Sequence, residues 1–156
     1  MTDTVTVTSA GARTPAHLWI VGALGLLWNA FGAVDYVMTR TQRAAWIDRM
    51  MPGVDGQHYM AYIDGFPIWV SLAWGLGVWG GLLGVVLLLM RKAIAVPVLL
   101  VSFLGALLGI GWQMVNPVDI AEMNEGAGAV MPYVVIVIAL GLWLYARAQA
   151  SAGRLA

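Results

Sequence analysis

The sequence predicts an all-α polytopic membrane protein, a bundle of four transmembrane helices, and three observations carry that reading. Only 10% of the 156 residues are charged and 61% are apolar, against roughly 25% charged in an ordinary soluble domain. Four apolar windows, about 16–38, 68–90, 93–115 and 130–146, reach or approach the roughly 20 helical residues that cross a hydrocarbon core of about 30 Å. Small residues, with 19 glycines among them, recur at helical spacing inside these windows, which is how membrane helices approach closely when lipid removes the hydrophobic drive.

Residues 1–15 read as a polar, disordered cytoplasmic tail. Arg13 comes too late, and the apolar run after it is too long, for a cleavable signal peptide. The first span, 16–38, is therefore retained. Residues 16–146 form a single transmembrane domain whose fourth span is the shortest, and 147–156 read as a second cytoplasmic tail. A formal net charge of zero offers nothing to nucleic acid. The absence of cysteine excludes disulfides, thiolate catalysis and quinone-coupled dithiol chemistry.

Charge sets the orientation. With four spans, Arg13, Arg91, Lys92, Arg147 and Arg154 share one side and Arg40, Arg43 and Arg49 the other, five basic residues against three. The excess places both termini in the cytoplasm. Asp35, Asp48, Asp55, Asp64, Asp119, Glu122 and Glu125 then collect on the outside. Pro15, Pro67, Pro97 and Pro132 fall at or near span starts, where a missing N–H costs least, and Pro52 and Pro117 fall in the outer connections. That pattern announces no kinked span.

The connection 39–66 is too long for a turn. Its stretch 43–51 reads as a short external interfacial helix with Trp46, Ile47, Met50 and Met51 on one side, ended by Pro52-Gly53. Beyond it, 55–65 combines His58, Tyr59, Tyr62, Asp55 and Asp64. One histidine with flexible acids falls short of a metal-site pattern, so this section reads as a solvated loop with aromatic anchors, and no metal is expected.

At about 100° per residue, Gly22, Gly25, Asn29, Gly32 and Tyr36 share one arc of the first span. Ala73, Gly77, Gly80, Gly81 and Gly84 share one on the second, and Ser102, Gly105, Gly109 and Gln113 line the third. Spans one to three should therefore pack closely through these glycines. The fourth span, β-branched and apolar nearly all round, should sit outermost or meet an oligomer partner. Of the eight tryptophans, Trp19, Trp143, Trp69 and Trp112 suit the interfacial belts. Trp28, Trp74 and Trp79 lie deeper and are expected to be buried, with Asn29, Ser71, Ser102 or a carbonyl as partners for their N–H groups.

The polar residues inside the spans are the candidate site, because such groups are costly in lipid and usually face the bundle interior. Trp28-Asn29-Ala30-Phe31-Gly32-Ala33-Val34-Asp35 is echoed by Trp112-Gln113-Met114-Val115-Asn116-Pro117-Val118-Asp119, which suggests a 2+2 tandem repeat. Asp35 is the carboxylate placed to lie within the hydrocarbon boundary. It is either part of an outward-opening site for a proton, a cation or a solute hydroxyl, or a helix-end group paired with Arg40 or Arg43.

The run Leu26-Leu27-Trp28-Asn29-Ala30-Phe31-Gly32-Ala33-Val34-Asp35-Tyr36-Val37-Met38-Thr39-Arg40-Thr41, followed by Ala73-Trp74-Gly75-Leu76-Gly77-Val78-Trp79-Gly80-Gly81-Leu82-Leu83-Gly84, resembles a family of small four-span bacterial inner-membrane proteins often catalogued as sugar transporters. The resemblance covers most of 17–145 and implies a four-span fold in a bacterial inner membrane. It brings no established catalytic or binding residues to place on this chain.

Two function classes follow. In the first, a small-solute carrier, for example of a sugar, binds through Asp35, Asn29 and Gln113 between the aromatic walls Trp28 and Trp112, since sugars are held by aromatic faces and by amide and carboxylate side chains. In the second, a non-catalytic accessory or assembly subunit packs into a homo-oligomer or a larger membrane complex. An enzyme is not expected. His17 and His58 fall on opposite sides of the membrane and cannot jointly ligate one haem, no nucleophile–base pair is visible, and no cofactor is called for.

Overall fold

A computed structural model describes residues 15–156; the polar stretch 1–14, with Arg13, lies outside the described residues. The chain there is helical, and four of its helices are long and apolar enough to cross a membrane. α1, Ala16–Gln42, begins directly behind Pro15, whose extended φ of −69° and ψ of 143° preset the entry. At Arg43 the backbone turns through a positive φ of 49° into α2, Ala44–Met50. α3, Gly56–Asp64, is capped by Asp55, whose Oδ1 accepts from the Gln57 and His58 amides at 2.8 and 3.2 Å. Pro67 precedes α4, Ile68–Leu89, and a tight hairpin leads into α5, Ala95–Val115. The short α6, Ala121–Asn124, and the long α7, Gly126–Ser151, complete the chain.

The centre of the bundle is the α4–α5 pair, with α1 packed along α4 and α7 along α5. Glycine makes the central contact possible. A Cβ at Gly105 would stand 2.7 Å from the Ala73 carbonyl oxygen, one at Gly84 2.6 Å from the Leu99 side chain, one at Gly77 3.1 Å from the Ala106 nitrogen and one at Gly80 3.2 Å from Ser102. Ser102 seals the seam by donating from Oγ to the Gly77 carbonyl at 2.6 Å. α1 joins through Gly22 against Leu89, Gly25 against Val85 and Leu142, and Asn29 against Gly81.

The predicted packing glycines differ in how closely they pack. Gly109 is buried, but a Cβ there would stand an ordinary 3.7 Å from the Trp74 nitrogen, and one at Gly32 would meet nothing within 4 Å. The reason lies one turn to either side of Gly32. Asn29 reaches Gly81, and Tyr36 reaches Gly75 and the rings of Trp74 and Trp79, so these side chains hold α1 and α4 apart between them.

The fourth span is longer than its apolar core suggested. At 26 residues α7 exceeds the 21 of α5, starts before residue 130 and carries Pro132 inside it. Its glycine-rich start is helix and not linker, because Gly128 lets α6 pack directly on the first turn of α7 through Glu122 and Met123. Of the four spans it is the least covered by protein, as its uniform apolar surface implied.

Residues 147–156 are not a free tail. α7 continues to Ser151, Gln149 and Leu155 are buried, and Ala156 pairs with the Arg91 carbonyl and the Ala93 amide at 2.8 and 2.9 Å. This closes a core of Leu18, Val85, Leu88, Ala95, Leu99, Leu142 and Ala146 at one end of the bundle.

A second core lies at the opposite end, outside the spans. Ala44, Trp46, Ile47, Val54, Met60, Ile63, Val118 and Ile120 are buried together, so α2, α3 and the segment after α5 form a helical cap over the bundle. The stretch 43–51 therefore buries Trp46 and Ile47 in protein and does not present them to the interface, leaving Met50 exposed. The stretch 55–65 is a helix, because Met60 and Ile63 find apolar partners on α2 that a solitary loop would lack.

A polar cavity beneath the cap

Where the cap meets the spans there is a cavity of about 140 Å3 lined by Asp35, Tyr59, Ile63, Phe66, Trp74 and Gln113. α1 contributes Asp35 from near its cap end, α5 contributes Gln113 from its last turns, and α4 contributes Trp74. Tyr59 and Ile63 come from successive turns of α3, and Phe66 follows in the link to α4.

Neither nearby arginine pairs with Asp35. The Arg40 guanidinium lies over the Tyr36 and Trp74 rings, 5.6 and 5.1 Å from their centroids, and Arg43 forms its ion pair with Asp64 on the exposed surface. Asp35 Oδ1 instead accepts from Trp46 Nε1 at 2.8 Å. No donor among the described residues is bonded to Asp35 Oδ2.

Gln113 Nε2 donates to the Gly109 carbonyl at 3.3 Å, which leaves Oε1 as the amide's free acceptor. The Tyr59 hydroxyl forms no hydrogen bond among the described residues. Burial, with smaller contributions from the charge of Asp35 and from Tyr62, pushes its pKa up from 10.0 to about 12. The phenol therefore stays neutral at physiological pH. Burial also raises Tyr62, whose hydroxyl donates to the Asn116 carbonyl at 2.6 Å.

The five site residues predicted from sequence separate. Asp35 and Gln113 meet in the cavity. Trp112 stands behind it, its ring 5.1 Å from Phe66 and 6.1 Å from Tyr62. Asn29 and Trp28 are elsewhere, because they lie about two turns deeper on α1, where Asn29 Nδ2 donates to the Gly25 carbonyl at 2.8 Å and its amide packs on Gly81. Asn29 and Gln113 each bond back four residues to a glycine carbonyl, so the local pattern of the repeat is kept at two depths. Of the deeper tryptophans, Trp79 is 47% exposed and Trp74 lines the cavity, while Ser102 and Asn29 spend their donors on carbonyls.

Sequence reasoning missed Tyr59, Ile63, Phe66 and Trp46. The signal was the spacing of Tyr59, Ile63 and Phe66, three to four residues apart, which gives α3 one apolar face directed at the bundle. A second depression, an apolar groove of about 400 Å3 between α1 and α4, is lined by Ala30, Ala33, Val34, Val37, Met38, Trp79 and Leu82 and offers room for hydrocarbon only. Among the described residues, no three His, Asp or Glu side chains are grouped to hold a metal ion. Comparison with protein-family models, with curated proteins and with solved structures finds no match.

Proposed function

We propose that this integral membrane protein binds a small polar solute in the cavity beneath the cap, as the loading step of solute transport. The observation that carries the reading is the meeting of Asp35, Gln113 and the unbonded Tyr59 hydroxyl in one sheltered space at the membrane boundary. Asp35 takes one hydrogen bond, from Trp46, and the Tyr59 hydroxyl takes none, so both keep polar capacity for a ligand. Volume narrows the solute. At about 30 Å3 per water-sized unit, about 140 Å3 holds four or five heavy atoms. A hexose, with about a dozen, would extend beyond this space. The arginine and lysine split supports a cap that faces outward and chain ends that face the cytoplasm.

A second reading, an accessory or assembly subunit, is favoured by one observation. α7 buries only Leu142, Ala146 and Gln149 and leaves the rest of its surface for lipid or a partner. Purified protein in detergent or nanodiscs, titrated calorimetrically with small polyols, amines and inorganic cations, separates the two. Saturable binding that the Gln113→Leu variant weakens supports the solute reading. Absence of any binding, together with co-purification of a larger complex, overturns it.

A further inference from the structure

We propose that the cavity beneath the cap takes a small alkylammonium cation, from methylammonium to tetramethylammonium in size, with Asp35 as counter-ion and Tyr59, Phe66 and Trp74 as aromatic walls. This rests on the solute-binding reading above and names its substrate class.

Charge is the first ground. Asp35 sits at a span end where a carboxylate needs a counter-charge. Arg40 is engaged over Tyr36 and Trp74, and Arg43 with Asp64. One Asp35 oxygen is satisfied by the neutral Trp46 indole, which leaves the negative charge itself uncompensated by an ion pair. A bound monovalent cation supplies what the arginines do not. Arg40 is the competing positive charge, but its side chain is exposed and therefore screened by water and salt, whereas a ligand in the cavity is not.

The walls are the second ground. Three of the six lining residues are aromatic, and Ile63 adds an aliphatic side. Aromatic faces attract cations, and cages of such rings with an acid are how alkylated ammonium groups are held. Trp74 already has one cation over its ring in Arg40. The remaining oxygens, Asp35 Oδ2, Gln113 Oε1 and the Tyr59 hydroxyl, suit the N–H donors of a primary or secondary amine. They are too few for a hard metal ion, which seeks about six oxygens. A neutral polyol would leave the carboxylate uncompensated.

Size is the third. Tetramethylammonium, with five heavy atoms, is of the size that a cavity of about 140 Å3 suits at about 30 Å3 per unit.

The test is calorimetric titration of the full chain in nanodiscs with methylammonium, tetramethylammonium, tert-butanol, glycerol, sodium and potassium. The indole 15N–H resonance of Trp46, identified by its loss in Trp46→Phe, gives a site-specific readout. Saturable alkylammonium binding that shifts this resonance is expected, with tert-butanol at least about tenfold weaker despite its matching size. Asp35→Asn preserves the acceptor for Trp46 and should weaken binding by about 30-fold or more. Phe66→Leu, away from the charge, should weaken tetramethylammonium about threefold to tenfold. Equal or tighter binding of tert-butanol, glycerol, sodium or potassium would overturn the ammonium class and leave the solute-binding reading standing. No binding by any of the six would overturn both.

Discussion

Trp46 on α2 donates its indole N–H to Asp35 on α1 across 2.8 Å, and this bond ties the cap to the first span. The indole is otherwise buried among Ala44, Ile47 and the apolar face of α3. The same contact thus orients a carboxylate of the cavity and anchors the helices that cover it. Replacing Trp46 by Phe removes the donor and some packing while keeping an aromatic ring. We expect a loss of about 1–3 kcal/mol, the usual cost of stranding a buried hydrogen-bonding group, confined to the cap. Hydrogen exchange should show faster amides in α2 and α3 with those of α4 and α5 unchanged; uniform acceleration across the spans would count against a cap that opens as its own unit.

The glycine contacts make a graded prediction. Gly105→Ala places a methyl group 2.7 Å from the Ala73 carbonyl oxygen and 2.8 Å from the Gly77 nitrogen. Both are backbone atoms that cannot rotate away, so a cost of about 1–3 kcal/mol is expected. Gly109→Ala should be close to neutral. Gly32→Ala meets open space and should stabilise α1 by about 0.5–1 kcal/mol through helix propensity alone. Thermal unfolding in one detergent ranks the three, and a Gly32 variant as damaging as the Gly105 variant would refute the packing described.

What was legible in the sequence divides along a physical line. Length and composition report what a segment must do with lipid, so the four spans and the small-residue seam of Gly77, Gly80, Gly81, Gly84 and Gly105 could be read directly. Partner choice is not local. Gly22, Gly25 and Gly32 share one helix face, yet only the first two find a neighbour, because the length of Asn29 and Tyr36 sets the helix separation at Gly32. The ends of α7 were misplaced for a related reason. Gly126, Gly128 and Pro132 are breakers in isolation, but α6 packing on Gly128 and the docking of Leu155 hold the helix at both ends. The cavity was half visible. Asp35 and Gln113 announce themselves as polar groups in apolar surroundings, whereas Tyr59 and Phe66 reach it, and Trp46 reaches Asp35, through the folding of a connection whose apolar face is a single short stripe.

Topology can be tested with single reporter cysteines, and the structure decides where they go. Gly56 faces the Ala44 carbonyl and Asp48 too closely for any side chain, so a reporter cysteine there would disturb the cap. Gln57 and Ser151 are exposed and lie at opposite ends of the bundle. With no native cysteine, Gln57→Cys should react with a membrane-impermeant thiol reagent in intact cells and Ser151→Cys only after permeabilisation. The reverse pattern would invert the proposed orientation.

Tyr59 supplies a pH signature for the closed cap. Its folded-state pKa of about 12 lies above the ordinary 10.0, so the folded protein keeps a proton that the unfolded chain gives up first. The associated stability is complete below about pH 10 and is lost as pH rises through the folded value, because ionising the phenol in place means burying a second negative charge near Asp35. Unfolding midpoints in denaturant should therefore fall between about pH 10 and 12. Tyr59→Phe, which has nothing to ionise, should flatten the part of that fall due to this residue. Burial is the larger cause of the shift and the Asp35 charge the smaller, so Asp35→Asn should move the tyrosinate absorbance of Tyr59 to lower pH without returning it to the ordinary value. A Tyr59 that titrates normally in the parent protein would mean that water already fills the space beneath the cap, and that α3 does not rest on the spans.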